Sequence, residues 1–174
     1  MVFFNRGLMV GGTCTGVLLL VPASLVQAVV PPVACLVVLL GFLAVCVGCD
    51  TRIVPWRLPQ NARQVPSDII VRAEGQGAFQ FGFEMGTGLR TYVPAHIPHA
   101  LVAVALLGTP WWLAPLLGLS FGAGRTIMVF SSVLSGDATA WDKEFARHRT
   151  AILSICWIAV LIIIALLFRG GAVR

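Results

Sequence analysis

Charged side chains are scarce in this sequence, because Asp, Glu, Lys and Arg together make up only 11% of its 174 residues. A soluble domain carries about 25% charged residues, which help to cover its surface with groups that water solvates well. Hydrophobic residues make up 58% of the chain, and the mean hydropathy is +0.92. The scarcity of charge therefore excludes an ordinary soluble globule and predicts a chain that lies mostly in lipid.

Other absences narrow the function further. The basic residues are scattered rather than clustered, so the net charge of +5 does not indicate a nucleic-acid partner. The sequence has no phosphate-binding loop, Ser-His-Asp set or carboxylate pair, which excludes soluble-type kinases and hydrolases. The five cysteines lie in or at the ends of apolar runs, so they do not form a disulfide framework. No residue set has metal-ligand spacing, and the sequence implies neither a metal nor a cofactor.

The sequence contains several long apolar runs. A run of about 20 apolar residues can cross a bilayer as a helix. We predict an all-α, polytopic transmembrane helical bundle with five or six spans in a single membrane domain. The predicted spans are 8–30, 33–49, 75–93, 96–108, 111–134 and 151–168. Six spans result if 75–93 and 96–108 both cross the membrane, whereas a re-entrant 75–93 leaves five.

Two polar connections separate the apolar runs, at residues 50–74 and 135–150. The first contains three prolines, which prevent a long helix, and four arginines. Because basic residues favour the cytoplasmic side of a membrane, this loop and the N-terminus are predicted to lie inside an integral plasma membrane protein. The lipid bilayer is therefore the first predicted partner.

The stretch from Phe79 to Thr91 places ionisable groups within an apolar run, which is costly in a bilayer unless the charge is paired or faces water. A similar glycine-rich stretch with an arginine follows at residues 121–126. These groups suit a proton relay, a substrate clamp or a structural salt bridge. The residues of the predicted substrate- or ion-binding site are Glu84, Gly86, Gly88, Arg90 and Arg125.

Two pairs of glycines with a spacing of four residues, Gly82–Gly86 and Gly118–Gly122, mark surfaces where helix backbones can approach closely. Close helix packing is the simplest interpretation. The alternative is a broken helix whose free amide groups, helped by Arg90 or Arg125, bind an anion near the middle of the membrane.

Cys46 and Cys49 form a C-x-x-C pair at the end of the second apolar run. One hypothesis makes them a catalytic dithiol that exchanges electrons. The alternative makes them two small residues that finish an apolar helix, where the helix dipole disfavours a thiolate. His96 and His99 flank a proline, and we expect them to be loop residues rather than metal or haem ligands.

Three segments resemble a known family: Gln64–Pro66, Gly82–Tyr92 and Phe121–Arg125. They are similar to small actinobacterial membrane proteins related to the methylamine-utilisation MauE family, which belong with the DsbD/CcdA thiol-electron carriers. The resemblance covers about residues 60–130. It implies a compact helical bundle that transfers reducing equivalents to a partner protein outside the membrane.

Three functional hypotheses follow. The first is a small membrane protein with a thiol-redox or maturation role toward a partner protein. The second is a subunit of a transporter or channel for a proton-coupled or anionic small solute. The third is a non-catalytic subunit of a membrane complex, formed with other membrane subunits or as a homo-oligomer. Whether the protein is an enzyme stays open at this point.

Overall fold

The computed structural model describes residues 2–56, 75–88 and 95–169, and the regular elements of this part are all helices. The helices are α1 (Val2–Val29), α2 (Pro32–Asp50), α3 (Gln76–Gly86), α4 (Ile97–Ala103), α5 (Ala114–Leu134) and α6 (Ala138–Arg169). A π-helical segment, Val104–Gly108, continues α4, and a 3₁₀ turn, Trp111–Leu113, precedes α5. The prediction of an all-α helical bundle is confirmed.

Four helices are long and apolar enough to cross a membrane: Val2–Val29, Pro32–Asp50, Trp111–Leu134 and Thr139–Leu167. The predicted runs at 75–93 and 96–108 contain shorter helices. With 11 residues, α3 is about 17 Å long, and the hydrocarbon core of a bilayer is about 30 Å thick. The described residues support a membrane protein with four candidate spans, and the full count of five or six stays a prediction.

The structure differs from the sequence prediction at the polar connection 135–150, most of which is the beginning of α6. Gly136 has a φ of +70°, so the chain reverses there after α5. The Asp137 carboxylate then caps the new helix, because Oδ1 accepts the amides of Thr139 and Ala140 at 2.9 and 3.0 Å. No glycine or proline follows until α6 ends, so the polar residues continue directly into the apolar part of the helix.

α1 packs against two neighbours through glycines. Gly7 and Gly11 face α3, and Gly12 and Gly16 face α5. A Cβ atom at any of these positions would lie less than 3.0 Å from a backbone atom of the neighbouring helix. The same holds for the partner glycines Gly82, Gly86, Gly118 and Gly122. The expected close packing at the two sequence motifs is therefore present, and α1 is the helix they share.

The contacts with α1 give the directions of its neighbours. α3 begins next to Phe3 and ends next to Thr15, whose Oγ1 donates to the Thr87 carbonyl at 3.1 Å. α3 is therefore parallel to α1 and stops about halfway along it. α5 runs antiparallel to α1, because Gly118 faces Gly12 whereas the later Gly122 faces Leu8.

A second packing centre joins α2, α4 and α6. Its buried members are Leu39, Leu43, Cys46, Ala100, Ala103, Val104, Trp157, Val160 and Ile164. The alanines of α4 are small, so this short helix fits between the larger side chains of α2 and α6. The second half of α2 and the second half of α6 thus share one cluster with α4.

The π-helical segment ends next to α1, where Gln27 satisfies carbonyl groups that the helix end leaves free. Gln27 Nε2 donates to Leu106 O at 3.0 Å and to Thr109 O at 2.8 Å. Thr109 also closes the segment, since its amide and hydroxyl both donate to Val104 O. Hydrocarbon offers no water to such carbonyls, so Gln27 is the group that connects this end of the segment to α1.

Replacing Gln27 with leucine removes both donors and leaves two carbonyl groups unsatisfied. We expect Gln27→Leu to lower the free energy of unfolding by about 1–2 kcal/mol. Unfolding by sodium dodecyl sulfate in mixed micelles measures the change. The matched control is Ser24→Ala, because the Ser24 hydroxyl donates only within α1, to Val21 O at 2.8 Å. Equal stability of Gln27→Leu and the control would contradict this role.

Candidate functional site

Asp50 is the one charged residue that is buried in the described part of the chain, and its side chain is only 3% exposed. Three donors from two other elements surround its carboxylate. Oδ1 accepts the His96 amide at 2.9 Å and lies 2.7 Å from His96 Nδ1. Oδ2 accepts the indole Nε1–H of Trp157 at 3.0 Å. The carboxylate thus connects α2, the start of α4 and the middle of α6.

The helical repeat explains why Asp50 faces inward. Leu43, Cys46 and Asp50 are spaced three and four residues apart, so they share one face of α2, and the first two lie in the apolar cluster. α2 ends at Asp50, and Arg52 has a φ of +61°, which turns the chain out of the helix. Asp50 therefore occupies the last inward-facing position before the chain leaves the bundle.

The start of α4 supplies the amide that Asp50 binds. His96 is the residue before this helix, and the first amides of a helix have no carbonyl partner within it. Pro98 lacks an N–H, which removes one of these amides, and the Asp50 carboxylate accepts that of His96. A negative charge is also favourable at this end of a helix.

The carboxylate sets the orientation of the His96 ring. An ionised carboxylate can only accept a hydrogen bond, so Nδ1 carries the hydrogen in the 2.7 Å contact. The His96 side chain is 18% exposed, compared with 3% for Asp50. The imidazole is therefore the member of the pair that reaches toward the surface of the bundle.

The donor set at this site does not suit a metal ion. Within residues 2–56, 75–88 and 95–169, no group of three or more His, Cys, Asp or Glu side chains is placed to hold a metal ion. The ring of His99 lies 5.9 Å from that of His96, centroid to centroid. The chemistry that this arrangement offers is proton transfer between the imidazole and the carboxylate.

The cysteines of the C-x-x-C pair lie next to Asp50 on α2, and both thiols are free. Cys46 has no exposed surface, and Cys49 is 8% exposed. Thiol–disulfide exchange requires direct contact between sulfur atoms, which a partner protein cannot make with Cys46 while the bundle stays closed. The structure adds no support to the redox hypothesis, which stays a prediction.

The described residues of the predicted substrate- or ion-binding site lie on or next to α3 and α5, not on the helices that hold Asp50. Glu84 is half-buried on α3 and accepts a hydrogen bond from Gln80 Nε2 at 3.3 Å. Arg125 is half-buried on α5, with its guanidinium carbon 5.7 Å from the centroid of the Phe121 ring. Arg90 lies outside the described residues. None of the described members of this set contacts Asp50 or His96 in a hydrogen bond or ion pair of the described structure.

The predicted glycines bring α3 and α5 to the same point of α1. Cβ atoms at Gly86 and Gly122 would both overlap the Leu8 carbonyl. Gly88, with a φ of +69°, lies just after α3 and faces the Phe121 ring. The structure thus places the two glycine-rich runs together, and packing is the role that their contacts support.

The direction of α3 argues against the predicted anion site. The end of α3 within the bundle is its C-terminal end, where carbonyl groups rather than amides lack partners in the helix. The Thr87 carbonyl at this end accepts the Thr15 hydroxyl. A helix C-terminus carries a partial negative charge, so it repels an anion.

Comparison of the chain with protein-family models, curated proteins and solved structures finds no match. The resemblance of three of its segments to the MauE family therefore stays a prediction.

Proposed function

We propose that this integral membrane protein is a channel or transporter subunit that moves protons across the bilayer, and that Asp50 and His96 form its proton-binding pair. The observation that carries the proposal is the 2.7 Å contact between a carboxylate that is 3% exposed and an imidazole that is 18% exposed. In such a pair the imidazole exchanges protons with the surroundings and the carboxylate holds them within the bundle.

The depth of the pair supports a functional role. Trp157, which donates to Asp50, lies about 9 Å along α6 from Ala151, where the apolar part of the helix begins. A carboxylate at this depth costs several kcal/mol unless it is paired, and ionisable residues inside membranes commonly belong to proton or substrate pathways. A buried ion pair is weak support for stability alone, because apolar residues often replace it without loss.

The proposal includes five spans, with α3 as a re-entrant half-helix. Its support is that α3 stops halfway along α1, whereas the segment from α4 to Thr109 extends from Asp50, at the end of α2, to Gln27, near the end of α1. With the N-terminus in the cytoplasm, the C-terminus lies outside. The Asp50–His96 pair is then nearer to the cytoplasmic side of the plasma membrane.

Proton flux into liposomes that contain the purified protein tests this function. With an imposed pH gradient and an internal pH dye, we expect the wild-type protein to carry a flux above that of protein-free liposomes. Asp50→Asn lowers this flux to the protein-free level, because the amide cannot bind a proton in this range. The matched control is Asp142→Asn, at an exposed position of α6.

Two results would contradict the proton-binding role: a wild-type flux equal to that of protein-free liposomes, or an unchanged flux in Asp50→Asn. The thiol-redox role implied by the resemblance is tested in the same assay by the double variant Cys46→Ser, Cys49→Ser. The proton-binding role predicts that this variant keeps its flux, because neither thiol contacts the carboxylate oxygens in the described hydrogen bonds.

A further inference from the structure

A separate polar feature lies where α1 and α3 both begin. An open pocket of about 330 Å³ is lined, among the described residues, by Phe3, Arg6, Gln76 and Phe79. We propose that this pocket binds the phosphate group of an anionic phospholipid, with Arg6 as the cation that recognises it.

Glycines fix the two aromatic walls of the pocket. Gly75 has a φ of +81°, and a Cβ atom there would lie 2.6 Å from the Phe3 ring, so the ring rests where a side chain would otherwise be. On the opposite wall, the backbone of Phe79 packs directly against Gly7 of α1. Phe3 and Phe79 therefore each rest against a glycine, Gly75 at the start of α3 and Gly7 of α1.

Charge complementarity identifies the ligand. Arg6 is the only charged residue in α1, and it makes no ion pair with a described acidic residue. Arg6 is exposed, so it is accessible to a headgroup, and phosphate oxygens accept guanidinium N–H groups in strong, charge-assisted hydrogen bonds. The Gln76 amide lines the same pocket and offers a further donor.

The surroundings of the pocket favour a lipid over a free anion. Phe3 is 50% exposed and the neighbouring Val2 is 61% exposed, so the rim is an apolar surface that suits acyl chains. Arg6 gives the described lining a positive charge, which favours a headgroup with a net negative charge over a zwitterionic one.

Which leaflet the pocket faces depends on the orientation of the protein in the membrane, and that orientation rests on the proposed function. The binding of lipid to the pocket does not depend on it. With the N-terminus in the cytoplasm, the pocket faces the leaflet in which anionic lipids attract basic residues. Lipid binding and proton flux are measured separately, so either proposal can fail without the other.

Thermal unfolding of the purified full-length protein in a neutral detergent tests the lipid site. We expect phosphatidylglycerol to raise the melting temperature, whereas phosphatidylcholine and inorganic phosphate do not. The apparent affinity for phosphatidylglycerol, taken from the concentration dependence of this rise, should be roughly fivefold weaker in Arg6→Gln. The matched control is Arg147→Gln, which removes the same charge from an exposed position of α6 and should keep the wild-type affinity.

Several outcomes would overturn the proposal. One is an equal response of the wild-type protein to the two lipids, which would show that Arg6 does not select for charge. Another is a rise with inorganic phosphate as large as that with lipid, which would make the pocket a free-anion site. If Arg6→Gln unfolds at too low a temperature to give a melting curve, native mass spectrometry measures the phosphatidylglycerol that the purified variant retains. Retention of phosphatidylglycerol by this variant at the wild-type level would also refute the role of Arg6.

Discussion

Gly118→Leu is expected to destabilise the bundle by about 3 kcal/mol, at the upper end of the cost of overpacking. A Cβ atom at Gly118 would overlap the backbone of α1 at Gly12 and lie 3.0 Å from the amide nitrogen of Gly16. Backbone cannot move aside as a flexible side chain can, so the two helices must separate. Unfolding by sodium dodecyl sulfate in mixed micelles measures the loss.

α5 provides its own control for this experiment. Gly124 lies on the same helix, and nothing lies within 4 Å of a Cβ atom built there. Gly124→Leu adds the same apolar volume, so we expect it to change the free energy of unfolding by less than about 0.5 kcal/mol. Leucine is a better helix former than glycine, so helix propensity predicts no loss at either position. Equal losses in the two variants would show that the added side chain on α5, rather than the contact with α1, explains the effect.

Asp50→Ala is expected to lower the free energy of unfolding by about 3–5 kcal/mol, as is typical when one partner of a buried polar pair is removed. The substitution leaves the His96 amide, His96 Nδ1 and Trp157 Nε1 without their acceptor. Asp50→Asn keeps one carbonyl oxygen as an acceptor and should cost about 1–2 kcal/mol. The same unfolding assay measures both variants.

A larger loss of stability in Asp50→Ala than in Asp50→Asn distinguishes a buried carboxylate from an exposed one. At an exposed position, we expect the two substitutions to have similar, small effects. Asp142→Ala is the control, since Asp142 is exposed on α6, and we expect it to have little effect. A loss for Asp50→Ala as small as that of the control would show that the carboxylate does not hold α2, α4 and α6 together.

Much of the fold could be predicted from apolar run length alone, since α1, α2, α5 and the second half of α6 each contain a long apolar run. The inward faces could not be predicted, because these helices are apolar all round and their pattern does not distinguish protein from lipid. The exception is α1. Gly7, Gly11, Gly12 and Gly16 repeat the spacing of the glycine pairs in α3 and α5, and they identify α1 as the common partner.

The Asp50 site could not be predicted, because its members lie far apart in the chain. His96 is 46 residues after Asp50, and Trp157 is 107 residues after it. In the sequence, Asp50 is the polar end of an apolar run, and the prolines around His96 predict a loop residue. Local sequence identifies neither the burial of the carboxylate nor its donors, because both result from the packing of α4 between α2 and α6. The glycines of the predicted centre pack against α1 and Phe121 in the described structure, and the binding role of Glu84, Arg90 and Arg125 stays a prediction.

Proton binding at Asp50 can be observed directly through its hydrogen bond to Trp157. We propose to label the tryptophans with 5-fluorotryptophan, assign the Trp157 signal by its absence in Trp157→Phe, and follow its ¹⁹F resonance between about pH 4 and pH 9. The account predicts that the wild-type signal shifts with pH as the Asp50–His96 pair takes up a proton, and that the shift disappears in Asp50→Asn. A Trp157 signal that does not respond to pH in the wild-type protein, or that titrates equally in Asp50→Asn, would contradict the account.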